Sequence, residues 1–212
     1  MSSQPLLEFK ALTFERDDWP LFSDLSGVIK AGEILQITGP NGCGKTTLLH
    51  ILATIQPFNR GALCWLGNDI ALCRQQYLAA IAFIGHKPGL KLSLTPRENL
   101  QWQAELQTLT RCTSAEALVR MGLVGYEDVP CHTLSAGQLR RAALATLCMT
   151  QARLWLLDEP LTALDVEGIA NLEALLLEHV AEGGAVVLSS HQALANPLVR
   201  TLALDAVAEI EL

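Results

Sequence analysis

The stretch Gly39-Pro40-Asn41-Gly42-Cys43-Gly44-Lys45-Thr46 fits the pattern G-x-x-x-x-G-K-[ST] at every defined position. An apolar run, Ile34-Leu35-Gln36-Ile37-Thr38, precedes it and reads as a short strand. Behind it, Lys45 to Ile55 carries apolar residues at 48, 49, 51, 52 and 55, the spacing of a helix. Strand, glycine-rich turn and helix together form a phosphate-binding loop. The glycines let the backbone bend so that several N–H groups face phosphate oxygens, and the helix beginning at Lys45 adds the positive end of its dipole. In that arrangement Lys45 reaches the β- and γ-phosphates of a nucleotide and the Thr46 hydroxyl ligates Mg²⁺. Thr47 follows as a further nucleotide-binding candidate.

A second element supplies acids. Leu154-Trp155-Leu156-Leu157-Asp158-Glu159-Pro160 reads as a buried strand, Leu154 to Leu157, ending in two carboxylates. Asp158 is placed to hold Mg²⁺ through water, and Glu159 to orient or deprotonate an attacking water.

The rest of the chain alternates strands and helices. Leu6 to Glu15 reads as an edge strand, and Ala62 to Leu66, Ile81 to Ile84 and Ala185 to Ser189 as further strands. Gln138 to Gln151 and Val166 to Ala181 read as helices, and residues 97–125 as helical segments. The alternation argues for an α/β domain with a mixed, largely parallel sheet. The segment of about 88–150 breaks it and reads as an inserted helical subdomain within a single domain spanning 1–212.

Composition narrows the function classes. Half of the 212 residues are hydrophobic and 17% are charged, so a disordered linker is excluded. The net charge of −7 disfavours nucleic acid as a partner. No run of about 18 uncharged apolar residues appears, and Met1 to Lys10 lacks the pattern of a signal peptide. The expectation is a cytosolic protein, held at a membrane only by partners. Six cysteines and five histidines show no metal-ligand or redox spacing; reduced, mostly buried thiols are expected, with Cys131 and His132 as loop residues.

Further motifs stand in register with the phosphate loop. Leu134-Ser135-Ala136-Gly137-Gln138 resembles the signature motif of ATP-binding cassette (ABC) proteins, with Ala136 where Gly is commoner. Thr162-Ala163-Leu164-Asp165 resembles their D-loop, and His191, in Ser190-His191-Gln192, their switch histidine. The physical reading of the signature is a second anion site: Ser135 and Gly137 precede a helix starting near Gln138. The resemblance implies the ABC ATPase fold and a head-to-tail homodimer with two ATP molecules between the phosphate loop of one chain and the signature of the other. It also implies integral membrane transporter subunits as partners. Two positions depart from the family pattern. His86 stands where a Gln is usual, and Arg16 where an aromatic ring usually stacks on adenine, with Phe14 and Trp19 as competing candidates. The stretches LSAGQLRR, 134–141, and LWLLDEPLTALDV, 154–166, most resemble the ATP-binding subunits of bacterial haem exporters used in cytochrome c maturation. The cluster Glu15-Arg16-Asp17 adds to that likeness. By that resemblance the chain works at the cytoplasmic face of the inner membrane. A cassette for another substrate, a soluble ABC ATPase and a non-catalytic nucleotide-binding module are the alternatives.

Two expectations concern exposure. Leu90, Leu92, Leu94, Leu100 and Trp102 are expected to form an exposed apolar patch for a membrane partner. Cys43, inside the phosphate loop and close to the Lys45 charge and the helix N-terminus, is expected to carry a reactive thiol.

Overall fold

The computed structural model describes residues 4–16, 19–107, 111–191, 194 and 196–204. Asp17, Gln192 and residues 108–110 of the segment 97–125 lie outside the described residues.

Two sheets are formed. Strands β1 (Leu7–Arg16), β2 (Trp19–Ile29), β4 (Arg60–Trp65) and β5 (Asn68–Asp69) make an antiparallel sheet in the order β2-β1-β4-β5. Strands β3 (Ile34–Thr38), β6 (Ile81–Ile84), β7 (Leu154–Asp158), β8 (Ala185–Ser189) and β9 (Val199–Ala203) make a parallel sheet in the order β6-β7-β8-β3-β9. The mixed sheet expected from the sequence is thus divided, the antiparallel strands forming a sheet of their own.

The parallel strands read as unbroken apolar runs because they are covered on both faces. All five residues of β7 and of β8 are buried. Side chains alternate between two cores, as the two-residue period of a strand requires. Leu154, Leu156, Ala185 and Val187 face a core shared with α1 (Lys45–Leu52) and the antiparallel sheet. Trp155, Leu157, Val186 and Leu188 face a second core built with α5 (Ala136–Met149) and α6 (Val166–Ala181). The second core also takes in residues of α3 (Pro96–Gln107) and α4 (Ser114–Arg120), so α3, α4 and α5 pack on one side of the sheet.

Three readings are corrected, and three elements were not read at all. β1 is an interior strand and not an edge, because β2 and β4 pair with it on either side. β2, β9 and the helix α2 (Ile70–Ala80) had no clear periodic signal. β2 contains Asp24 at φ 52 beside register shifts in its pairing, and α2 buries only Ile70 and Tyr77. Cys131 and His132 form a 3₁₀ turn, Cys131–Thr133, and not a loop. All six cysteines are free, but only Cys43, Cys131 and Cys148 are buried.

Candidate nucleotide site

The parallel register sets the site. Ile37 of β3 and Asp158 of β7 both pair with Ser189 of β8, so the phosphate loop, the two acids and the segment leading to His191 leave the sheet at its carboxyl edge. Ligands bind at that edge in open α/β sheets.

A cleft of about 670 Å³ opens there. Asn41, Gly42, Gly44, Lys45, Thr46 and Thr47 line one side, and Glu159 and His191 another. Phe14, Arg16 and Leu21, from the hairpin of β1 and β2, close a third. That volume suits a nucleotide-sized ligand.

Gly44 has φ 103, and a Cβ there would lie 2.9 Å from a methyl carbon of Leu21, so the loop needs glycine both for conformation and for room. Lys45 is 8% exposed, and its ammonium donates to the Gly39 carbonyl at 2.8 Å and the Pro40 carbonyl at 3.0 Å. These bonds arch the lysine over its own loop, with the charge at the cleft wall. The Thr46 hydroxyl donates to Asp158 Oδ2 at 3.0 Å and lies 3.1 Å from Oδ1. Ser189 Oγ donates to Asp158 Oδ1 at 2.7 Å and accepts from the Glu159 N–H at 2.9 Å. Asp158 is 1% exposed and held on both oxygens.

Glu159 differs. Its Oε1 is buried without a hydrogen-bond partner among the described residues, 3.4 Å from His191 Nε2. A buried, unpaired carboxylate oxygen beside an imidazole, in a cleft, suits the handling of a water proton. The oxygens of Thr46 and Asp158 are hard donors, and one carboxylate plus a hydroxyl suits Mg²⁺, which draws its other ligands from water and phosphate.

Other candidates lie elsewhere. Ser135 caps α5: its Oγ accepts from the Gln138 N–H at 3.2 Å, and Gln138 Oε1 accepts from the Ser135 N–H at 2.9 Å. The helix thus begins at Ala136 and not near Gln138. A Cβ on Gly137 would meet the Ala163 carbonyl oxygen at 2.6 Å, so this glycine permits close approach to the D-loop segment. Asp165 caps α6 through Gly168 N at 2.9 Å and lies 3.4 Å from Arg141 Nη2. Ser135 and Ala136 are exposed, outside the cleft lining. His86 is also exposed and outside that lining. Trp19 is 56% exposed and does not line the cleft, which leaves Arg16 and Phe14 on its wall, Phe14 being 8% exposed.

The reactive-thiol expectation for Cys43 is not met. The residue is 2% exposed and belongs to the apolar core, its Sγ turned beneath the loop toward Gly39. Sequence reasoning gave no role to Ser189 or Arg140. Ser189 ends a wholly apolar strand and Arg140 interrupts the buried face of α5, and a polar residue at such a position is the signal that could have found them.

The ABC transporter family profile matches residues 22–162. A cytochrome c biogenesis ATP-binding export protein CcmA from Hahella chejuensis is 48% identical over 205 residues, covering 96% of this chain and 97% of that one. The protein of the same name from Yersinia pseudotuberculosis is 50% identical over 188 residues, covering 88% and 86%. A solved ATP-binding subunit of an ABC transporter superposes with a TM-score of 0.76 at 27% identity, covering 88% and 79%. The fold is that of an ABC-type ATPase, and the chain is an ATP-hydrolysing member of that class. The chain belongs to the ABC transporter family of ATP-binding proteins, and its likeness to the cytochrome c biogenesis export members runs over nearly its whole length.

Proposed function

We propose that the chain is the ATP-hydrolysing subunit of a haem export complex serving cytochrome c biogenesis, a single domain with a helical subdomain at about 88–150. The observation that carries the ATPase reading is the convergence of Lys45, Thr46, Asp158, Glu159 and His191 on one cleft at the carboxyl edge of the parallel sheet. The relatives' printed name supports the export and cytochrome c part.

In this reading the loop from Gly39 to Thr47 cradles the phosphates with its backbone N–H groups, which Pro40 alone lacks, and Lys45 exchanges its loop carbonyls for phosphate oxygens. Arg16 lays its guanidinium on adenine. Thr46 and Asp158 would hold Mg²⁺, which would supply charge neutralisation at the nucleotide's phosphates. Glu159 Oε1 accepts a hydrogen bond from the attacking water, and His191 contacts the γ-phosphate. The exposed Ser135 and Ala136, with the half-buried Gly137 and Gln138, offer the N-terminus of α5 to the ATP of a second chain, with Asp165 at the seam. His86 takes the place of the usual Gln at the junction with the helical subdomain.

Among the described residues no helix is long and apolar enough to cross a membrane. Membrane subunits hold the chain at the cytoplasmic face of the inner membrane. The test is purification from native membranes with identification of co-purifying proteins, joined to complementation of a deletion strain with Lys45→Ala. The reading requires integral membrane partners and loss of holo-cytochrome c in the complemented strain. Normal cytochrome c levels in that strain would assign the complex to another substrate.

A further inference from the structure

Arg140 lies on the buried face of α5, beside Ala142, Ala143 and Leu144, and is 3% exposed. Among the described residues its guanidinium forms no ion pair and binds backbone carbonyls alone. Nη2 donates to Asp158 O at 2.7 Å and Nε to Pro160 O at 3.3 Å. Nη1 donates to Gly85 O at 2.8 Å and to His86 O at 3.4 Å. Planar donors in a fixed fork suit this task, and a lysine ammonium cannot reach all four acceptors together.

The first two acceptors are the carbonyls of the residues on either side of Glu159. Glu159 itself has φ 49, in the left-handed region. A non-glycine residue held there is costly and persists only where its surroundings over-determine it. Ser189 Oγ fixes its N–H from the sheet side. From the helix side, Arg140 holds the chain before and after it.

We propose that Arg140 is a positioning residue: by gripping the carbonyls that flank Glu159, together with those of Gly85 and His86, it keeps the Glu159 carboxylate aimed into the cleft. Arg140 belongs to the helix that Ser135 caps, so the clamp also ties the aim of Glu159 to the placement of the signature motif. The guanidinium touches no reacting atom in this account. It acts through the backbone of Glu159, so its loss lowers turnover and spares nucleotide affinity.

The inference rests on Glu159 as the group that orients water. The experiment therefore carries Glu159→Gln beside Arg140→Lys and Arg140→Ala, all in the purified transporter complex, with kcat, KM, ATP affinity and Tm measured. Arg140→Lys is expected to lower kcat at least about tenfold while KM and ATP affinity stay within about threefold of the parent. Added guanidinium ion is expected to restore part of the turnover of Arg140→Ala, and methylammonium not to. Should Arg140→Ala fail to fold, Arg140→Lys decides alone. Turnover of Arg140→Lys within about twofold of the parent, with Glu159→Gln inactive, overturns the clamp. So does a loss of kcat matched by an equal loss of ATP affinity. An active Glu159→Gln overturns the Glu159 assignment, and the clamp with it.

Discussion

Thr46 Oγ1 and Asp158 Oδ2 are 3.0 Å apart, joining the first turn of α1 to the carboxyl end of β7 across the parallel sheet. Ser189 holds the other carboxylate oxygen at 2.7 Å, so the pair is preset and does not wait for a cation to assemble it. Rigid donors suit Mg²⁺, which demands near-octahedral geometry. Asp158→Asn is expected to lower Mg²⁺-dependent ATP turnover at least about 100-fold, and Thr46→Val to raise the Mg²⁺ concentration at half-maximal rate. ATPase assays of the complex under Mg²⁺ titration measure both. An unchanged Mg²⁺ dependence in Asp158→Asn removes this carboxylate from the metal site.

Glu159→Gln keeps the size of the side chain and removes its basicity. ATP binding should persist, because Lys45, Thr46 and Asp158 are untouched, while turnover falls at least about 100-fold. His191→Ala should behave in the same direction, since its ring lies 3.4 Å from Glu159 Oε1 and shares the cleft. Rates near the parent's in Glu159→Gln, at saturating ATP, would show that another group orients the water.

What could be read in advance follows from where the signal lies. The phosphate loop, the acids at 158 and 159, and strands β7 and β8 announce themselves because local patterns and buried apolar runs coincide there. β2 was invisible because its bulged pairing breaks the alternation a strand should show. The Arg140 clamp was invisible for another reason. Its acceptors are backbone carbonyls of residues 85, 86, 158 and 160, which carry no side-chain code and come together only in the fold. Cys43 was misread because a position in a motif says nothing of side-chain direction, which the core beneath the loop decides.

At the opposite end of the sheet, His179 stacks on Trp155 with centroids 3.7 Å apart and planes 6° from parallel. Arg111, Cys112, Arg120, Cys148 and Glu178 line the small cavity beside them. Burial pushes the His179 imidazole down to about 4. The ring is therefore neutral in the fold at pH values where the unfolded chain, near about 6.5, binds a proton. The unfolded state takes up more protons between those two values, so stability is full above pH 6.5 and declines as pH falls toward 4. His179→Phe should keep the stack and flatten the Tm profile over that window by several degrees, at about 2–4 °C per kcal/mol for a chain of this size. Equal slopes for parent and variant in thermal melts across the window would assign the acid sensitivity to other groups.

Burial also sets the expected chemistry of Cys43. At 2% exposure its thiol cannot meet an alkylating reagent without opening of the loop. Maleimide labelling of the native protein is expected to leave Cys43 unmodified and to reach it only in denaturant. Cys64 and Cys73, partly exposed, should react first. Peptide mapping after timed labelling reads the order. Early modification at Cys43, blocked by ATP, would show that the loop opens readily.

The junction between β6 and α3 separates docking from packing. Leu92 is 52% exposed and Trp102 41%, whereas Leu100 is fully buried in the second core. Leu90 and Leu94 are half-buried, so only part of the expected apolar patch faces outward. The exposed pair is held in place. The Leu92 carbonyl accepts from the His132 N–H at 3.0 Å, and Lys91 Nζ stands 3.8 Å over the Trp102 ring. A pinned backbone and a stacked ring lose little freedom on association, which favours them as anchors for an apolar segment of a membrane subunit. Leu92→Asp and Trp102→Glu are expected to leave Tm and the fold intact and to weaken association with the membrane subunits at least about tenfold. Leu100→Ala should do the reverse, costing about 2–5 kcal/mol of stability through the cavity it leaves. Thermal melts of the isolated chain and co-purification from membranes separate the two classes. Intact co-purification of Leu92→Asp with Trp102→Glu would place the membrane contact on another face of the chain.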